Sequence, residues 1–501
     1  MADKAVSTRL MRGAMWLGAA RLFVNSIGFV STLILARLLV PDDFGLVALS
    51  STLSALINAL TAVPVAQALV RQDHVDRQDM DTAWTLNLLR GCGVFLLISA
   101  FAWPFSNIYD DPRLMIILPV TGLGALLTGL ENPSLVTFSR DLVFWQKFVL
   151  QSSAKVVGFA VSFSIAIIFQ SYWALILGGL ASNAMHLLVG YLVKPYWPRP
   201  SFARVRQIWA FSSWLGLSHI LNTLSWRADA LILGLDLPKR EVGLYKVASD
   251  LAILPTRELL GPISSTLFPG FSSARRSGSD MVSAFNRTQS LMAFVGLPIG
   301  IGFVLVADRF VPLVLGEKWL AIIPIIQVIG IPLALNSIVS GAPGFALSQG
   351  LPKALLFRDA AIFAIRLPAL IIGLLLGGLW GFVWARVGAW AFGFVLNLNL
   401  VYRVVGHSSL RQLHNVWRSL ASVSAMAATV LLVKQAMPVA PSIGGQVGQF
   451  FALVMFGALA YVLVHLILWA MLAKPDGPER FMLDLASKAS ARLRQKRAAR
   501  T

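Results

Sequence analysis

Apolar runs of about 20 residues recur along the whole chain, and they constrain the fold more than any other feature. A run of this length lets one α-helix cross the hydrocarbon core of a bilayer. Hydrophobic residues make up 57% of the 501 residues, charged residues make up 13%, and the mean hydropathy is +0.73. A soluble protein of this size would carry a more charged surface. The sequence therefore predicts an all-α integral membrane protein.

Fourteen transmembrane helices are predicted when the apolar runs are bounded at charged, proline or glycine residues. Their centres lie near residues 26, 57, 95, 126, 160, 183, 221, 257, 300, 334, 366, 390, 426 and 460. Prolines are predicted to interrupt the eighth and tenth spans. These are Pro255, Pro262, Pro269, Pro324, Pro332 and Pro343.

The distribution of basic residues predicts the orientation of these spans. With the N-terminus in the cytoplasm, 27 of the 42 Lys and Arg residues lie in cytoplasmic segments, eight lie on the opposite side and seven lie within spans. This bias follows the positive-inside rule, so both termini are predicted to be cytoplasmic. The net charge of +19 is thus explained by topology, and no nucleic-acid partner is predicted.

An internal repeat predicts two related lobes. Residues 31–53 align with residues 229–251 at an offset of 198, with eight identities in 23 positions. Gly45 aligns with Gly243, and Asp43 aligns with Glu241. A shift of six spans preserves direction through the membrane, so the sequence predicts two six-helix lobes related as parallel repeats, plus two C-terminal helices.

The predicted domains follow from this repeat. They are an N-lobe at 1–196, a cytoplasmic linker at 197–207, a C-lobe at 208–405, two further helices at 406–473 and a basic amphipathic tail at 474–501. The tail is predicted to lie on anionic membrane lipids.

Charged residues within the spans are the candidate functional residues. The basic ones are Arg21, Arg90, Lys155, Arg227, Arg257, Arg366 and Arg386, and the acidic ones are Glu131, Asp229 and Glu258. Same-helix pairing of Arg257 with Glu258, or of Arg227 with Asp229, is predicted to be weak because such spacings do not face each other on a helix. The basic excess predicts a cavity that favours an anion. Arg90 and Lys155 could instead extend to the membrane surface.

Catalytic and metal sites are not predicted. Cys92 is the single cysteine, no Cys/His cluster has metal-ligand spacing, and no ATP-binding loop is present. No cofactor is predicted, although a proton gradient, a sodium gradient or the membrane potential could drive transport.

Three segments resemble a known family. They are LARLLVPDDFGLVAL at 35–49, ADALILGLDLPKREVGLYKVASDLAILP at 228–255 and FPGFSSARR at 268–276. They resemble the polysaccharide transporter family of the multidrug/oligosaccharidyl-lipid/polysaccharide exporter superfamily, and in particular Wzx-type flippases.

This resemblance implies that the chain flips undecaprenyl-diphosphate-linked oligosaccharides across the bacterial inner membrane by alternating access, and that it is not an enzyme. It implies diphosphate contacts from Arg21, Arg257, Arg366 and Arg386. Further candidates for the cavity are Asn25, Lys155 and Arg227, and candidates for ion coupling are Glu131, Asp229 and Glu258. The polysaccharide polymerase and the chain-length regulator are candidate partners.

Two alternative functions stay open. A multidrug exporter of the same superfamily would handle organic cations, which suits the predicted anion-binding cavity poorly. A membrane polymerase or glycosyltransferase could use the acidic pairs Asp42–Asp43 and Asp110–Asp111. Helix capping explains these acids better, because no external segment is long enough for a catalytic domain.

Overall fold

A computed structural model describes residues 23–61, 76–140, 145–205, 223–225, 227–276, 278, 280–438, 440–472 and 477–480. Every regular element in these ranges is a helix. Within them, nine helices are long and apolar enough to cross a membrane, and two shorter helices are also apolar. The predicted all-α membrane fold is confirmed.

The helix bounds are as follows. The first eight helices are α1 (Phe23–Leu38), α2 (Pro41–Leu60), α3 (Arg77–Ile108), α4 (Leu114–Gly129), α5 (Val136–Arg140), α6 (Trp145–Phe169), α7 (Trp173–Val193) and α8 (Asp229–Gly234). The others are α9 (Lys239–Arg276), α10 (Met281–Val314), α11 (Ile322–Leu335), α12 (Ala342–Ser348), α13 (Pro352–Val405), α14 (Ser409–Asn415), α15 (Trp417–Ala436) and α16 (Ile443–Met471). Short 3₁₀ turns occupy Pro133–Leu135, Glu317–Trp319 and Asn336–Ile338.

The predicted span centres agree with these helices. Each predicted centre falls within one of them, except the centre near residue 221, which lies outside the described residues. The total of fourteen spans therefore stays a prediction.

Prolines affect the eighth and tenth spans differently. The eighth corresponds to α9, which continues through all three of its prolines for 38 residues, so the predicted interruption was wrong there. Membrane helices tolerate proline where neighbouring groups satisfy the freed carbonyls. The tenth span is interrupted between Leu335, where α11 ends, and Ala342, where α12 begins, but the three predicted prolines lie within these helices rather than at the break.

The 54-residue helix α13 contains a sharp break. Gly377 and Gly378 have non-helical backbone angles, and Gly378 has a φ of +55°. Glycine adopts positive φ without the clash that a Cβ atom would cause. The break divides α13 into two segments of about 25 residues, and about 20 residues suffice to cross a bilayer. The two predicted spans centred near residues 366 and 390 lie on either side of it.

The chain divides into two compact units. The first comprises residues 1–247 with 370–382, and the second comprises residues 248–369 with 383–501. In the second unit, the C-terminal helices α15 and α16 pack on α10 through buried Leu297, Met426, Leu453 and Tyr461. The predicted lobe boundaries stay a prediction.

The repeat aligns the starts of two helices in the first unit. α2 begins at Pro41 and α9 begins at Lys239, which are the same 198 residues apart as the two repeat copies. At the start of α2, the main-chain N–H of Val40 donates to Asp43 Oδ2 over 3.2 Å. Asp43 therefore serves the capping role predicted from its position.

The first turn of the predicted tail docks into a buried charge cluster. Glu479 Oε1 lies 2.6 Å from Arg418 Nη1 on α15 and 2.8 Å from His465 Nε2 on α16. Burial acts to raise the pKa of Glu479, but the hydrogen bond with His465 and the charge of Arg418 outweigh it and lower the pKa below the ordinary value. Residues 481–501, which complete the predicted amphipathic tail, lie outside the described residues.

Candidate substrate-binding site

A polar cavity of about 460 Å³ lies between α1, α6 and α7. Its lining residues are Val24, Asn25, Gln151, Ala154, Lys155, Ser182 and His186. The polar residues of α6 and of α7 are each four apart, so each pair shares one helix face. The structure thus brings together two predicted residues, Asn25 and Lys155, with three polar residues that sequence reasoning did not select.

The chemistry of this cavity suits an anionic, hydroxyl-rich ligand. Lys155 supplies an amine group, and the amides of Asn25 and Gln151 and the hydroxyl of Ser182 line the same cavity. Ammonium groups bind phosphate oxygens, and amides both donate to and accept from sugar hydroxyls. The i, i+4 spacing of Gln151 with Lys155 and of Ser182 with His186 was the available sequence signal.

Glu131 lies beside this cavity. It follows the end of α4 by two residues rather than lying inside the helix, and its Oε1 is 4.0 Å from Nε2 of the cavity residue His186. Nearby, Arg90 on α3 donates to Asn58 Oδ1 over 3.2 Å. The Glu131 carboxyl therefore lies next to one polar lining residue of the cavity.

The predicted arginines of the second unit occupy three different environments. The side chain of Arg257 on α9 is 60% exposed, whereas Arg366 on α13 is buried. Arg386, after the break in α13, is half-buried and its Nη1 donates to Ser249 Oγ on α9 over 3.3 Å. These guanidinium groups provide planar donors of the kind that bind phosphate in bidentate fashion.

Arg257 contacts its neighbour Glu258 on α9. Arg257 Nε lies 3.2 Å from Glu258 Oε1, although adjacent residues point to different sides of a helix. Both side chains are long enough to bend around the helix surface and meet. Because Arg257 is exposed, this pair contributes little to stability.

Asp229 has a structural partner that the sequence did not reveal. Its Oδ2 accepts a hydrogen bond of 2.7 Å from the hydroxyl of Tyr245, and its side chain is buried. The ring of Tyr245 packs edge-on against Phe382. Arg227, two residues before Asp229, is exposed. Arg21, the remaining predicted diphosphate contact, lies outside the described residues.

A further charge cluster joins the loop between α3 and α4 to the start of α9. Asp111 accepts hydrogen bonds from Arg113 Nη2 over 2.7 Å and lies 3.3 Å from Lys239 Nζ. Nearby, the hydroxyl of Tyr109 donates to the carbonyl of Leu231 over 3.0 Å. Burial acts to raise the pKa of Asp111, but hydrogen bonds from Arg113 and Lys239 lower it. These contacts give Asp111 a structural role, so its position does not require a catalytic one.

Metal ligands do not group together in the described part of the chain. Among those residues, no set of three or more His, Cys, Asp or Glu side chains could hold a metal ion.

Comparison with known sequences identifies relatives along most of the chain. The sequence model of the family described as polysaccharide biosynthesis protein matches residues 34–324. The chain is 25% identical over 417 residues to the lipopolysaccharide biosynthesis protein WzxC of Escherichia coli, covering 81% of this chain and 83% of WzxC. It is 24% identical to the succinoglycan biosynthesis transport protein ExoT of Rhizobium meliloti, covering 64% of this chain and 65% of ExoT.

Solved structures share the fold. The lipid II flippase MurJ, in an inward closed conformation, matches with a TM-score of 0.74 and 13% identity over 92% of this chain and 100% of that chain. An inward-facing MATE multidrug transporter matches with a TM-score of 0.62 and 14% identity over 78% of this chain and 98% of that chain.

The fold and the relatives define a multi-pass membrane transporter and not an enzyme. The family match covers more than half of the chain. The chain therefore belongs to the polysaccharide biosynthesis protein family and is a member of its Wzx-type polysaccharide transporters.

Proposed function

We propose that the chain moves undecaprenyl-diphosphate-linked oligosaccharide repeat units from the inner to the outer leaflet of the bacterial inner membrane. The observation that carries this proposal is the polar cavity lined by Asn25, Lys155 and His186, in a chain whose relatives are named for lipopolysaccharide and succinoglycan biosynthesis. Such a cavity suits a sugar diphosphate, because cations bind the phosphates and neutral polar groups bind the sugars.

The arginines of the second unit are proposed as further phosphate contacts. Arg366 and Arg386 would bind phosphate oxygens one after the other during alternating access. Arg257, whose side chain is exposed, would contact the headgroup from the aqueous side. The polyprenyl chain would stay in the bilayer, because transferring each methylene group from lipid to water costs about 0.8 kcal/mol. Both termini are proposed to lie in the cytoplasm, and the charge bias of the loops supports this orientation.

Energy coupling is proposed at Glu131. Of the three predicted coupling acids, Asp229 bonds to Tyr245 and Glu258 pairs with Arg257, whereas Glu131 lies beside the cavity, 4.0 Å from His186. Exit of a bound proton from Glu131 would change the charge next to His186 at each cycle. The membrane potential would add about 2.3 kcal/mol per charge per 100 mV to outward movement of the diphosphate.

A translocation assay in inverted membrane vesicles tests the site. Lys155→Gln and Arg386→Gln should each slow flipping about tenfold or more, because one charge-assisted hydrogen bond is worth roughly 1.5 to 3 kcal/mol. Arg411→Gln, which alters an exposed residue of α14, is the matched control. Membrane levels of all three variants should equal those of the wild type. If Lys155→Gln and Arg386→Gln flip the substrate at the wild-type rate, the proposed headgroup site is wrong.

Two further measurements separate this function from multidrug export. Loss of the gene should make lipid-linked repeat units accumulate on the cytoplasmic face while surface polymer disappears. Ethidium efflux should be absent from vesicles that flip the lipid-linked oligosaccharide. Ethidium efflux without oligosaccharide flipping would assign the chain to the cation exporters that share its fold.

A further inference from the structure

The segment after α7 is held firmly along the start of α3. Asp81 Oδ1 accepts hydrogen bonds from the hydroxyl of Tyr196 over 2.7 Å and from the main-chain N–H of Arg199 over 3.0 Å. One turn further along α3, Thr85 Oγ1 accepts from the main-chain N–H of Ser201 over 2.9 Å. Residues 194–205, which we name the strap, therefore have a fixed path.

The same bonds decide which side chains the strap presents outward. The two carboxylates of α3 are buried: Asp81 accepts hydrogen bonds from the strap, and Asp79 accepts one from the main-chain N–H of Asp76 at the start of α3. The aromatic side chains point away, with Trp197 85% exposed and Phe202 63% exposed. A buried acidic layer and an exposed aromatic layer are the opposite of what a segment facing only water would show.

Basic side chains accompany these two aromatic residues along the strap. Arg199 is exposed, and the side chains of Arg77 and Arg204, which lie 3.9 Å from Asp81 and Asp79, are still 58% and 42% exposed. Arg77 also lies over the ring of Tyr196, with its guanidinium carbon 6.0 Å from the ring centre. The outer face of the strap is thus cationic and aromatic, whereas its acidic partners are turned inward.

The position of the strap in the chain fixes its depth. It connects directly to the end of the span α7 and packs on the first turns of the span α3. Both of these helix ends lie at one membrane boundary, which the loop charges predict to be the cytoplasmic one. Tryptophan favours such a boundary, and the cytoplasmic leaflet carries the anionic lipids.

We propose that the strap is a binding surface for anionic phospholipid headgroups of the inner leaflet, with Trp197 and Phe202 inserted at the glycerol level. Arg199 and Arg77 bind the phosphates on either side of the inserted aromatic rings. The surface is separate from the substrate cavity, because none of its residues lines that cavity.

Native mass spectrometry of the full chain with phosphatidylglycerol tests the binding. The double variant Trp197→Ala/Arg199→Gln should retain at least threefold less phosphatidylglycerol than the wild type, with phosphatidylethanolamine retention unchanged. Arg240→Gln, which removes an exposed cation at the start of α9, should behave as the wild type. Equal phosphatidylglycerol retention by the double variant overturns the proposal, as does binding confined to the diphosphate-linked polyprenol.

A depth measurement provides an independent test. Cys92 is the single cysteine, so a spin label can be placed at residue 197 by Trp197→Cys in a Cys92→Ser chain. In vesicles with phosphatidylglycerol, the label should be more accessible to oxygen than to a water-soluble nickel complex. The reverse order of accessibility would place residue 197 in water and contradict the proposal, and an unchanged unfolding temperature would show that the variant is folded.

Discussion

The main-chain nitrogen of Gly243 lies 3.1 Å from the point that a Cβ atom would occupy on Gly45. These glycines are equivalent in the 198-residue repeat, and each lies in the first turns of its helix, α2 or α9. A Cβ atom on Gly45 would overlap the carbonyl oxygen of Lys239, and one on Gly243 would overlap that of Pro41. Equivalent residues therefore make a reciprocal helix crossing in which backbone meets backbone.

Alanine at this crossing should destabilise the protein. Gly45→Ala or Gly243→Ala forces the two helices apart, and overpacking of this kind costs typically about 1 to 3 kcal/mol. The unfolding temperature in detergent measures the loss. Gly179→Ala, on α7 with open space around its Cβ position, is the control and should be neutral or slightly stabilising. Equal unfolding temperatures for the three variants would contradict the close contact of α2 with α9.

Asp111 should stabilise the protein at neutral pH and lose this effect in acid. Because its folded-state pKa is lowered, the contribution is present above the unfolded pKa of about 3.9 and disappears as pH falls through the folded value. Asp111→Asn should therefore unfold at lower temperature than the wild type at pH 7, with the gap narrowing below about pH 4.

A neighbouring aspartate provides the control for this prediction. Asp110 is exposed and has a φ of +46°, a conformation that asparagine tolerates well. Asp110→Asn should leave the unfolding temperature unchanged both at pH 7 and below about pH 4. A pH-independent gap between Asp111→Asn and the wild type would exclude the titration of Asp111 as its cause.

Removing Glu479 should release the start of the tail. Glu479→Ala leaves Arg418 without its buried counter-charge and His465 without its hydrogen-bond partner, and breaking a buried pair costs about 3 to 5 kcal/mol. Limited proteolysis should cleave the variant near Gly477 faster than the wild type. The double variant Arg418→Gln/Glu479→Gln should recover part of the stability, since no charge is then left unpaired. Cleavage of Glu479→Ala at the wild-type rate would contradict the docking of the tail on α15 and α16.

The sequence predicted the helices well because each span in lipid must form its backbone hydrogen bonds within its own helix. Predicted centres agree with the helices wherever the structure describes them, and the repeat located the equivalent helix starts at Pro41 and Lys239. Asn25 and Lys155, two of the predicted candidates, line one cavity, and their role in binding substrate stays a prediction. The family resemblance was confirmed on the matched residues.

Side-chain partners were predicted less well, since they depend on how helices pack. Tyr245 bonds to Asp229 and His465 bonds to Glu479, and no periodic pattern relates these pairs. Arg257 pairs with adjacent Glu258 because long side chains can bend around a helix, which spacing rules ignore.

The sequence by itself determined a multi-span transporter with a duplicated helix pair and a basic excess within its spans. Hydrophobic length, loop charge and repeated glycines act locally, so they can be recognised without coordinates. Only the tertiary structure decided that Glu131 lies beside His186 and that Gly45 meets Gly243. Those relationships depend on distances between helices far apart in the chain, and packing alone sets them.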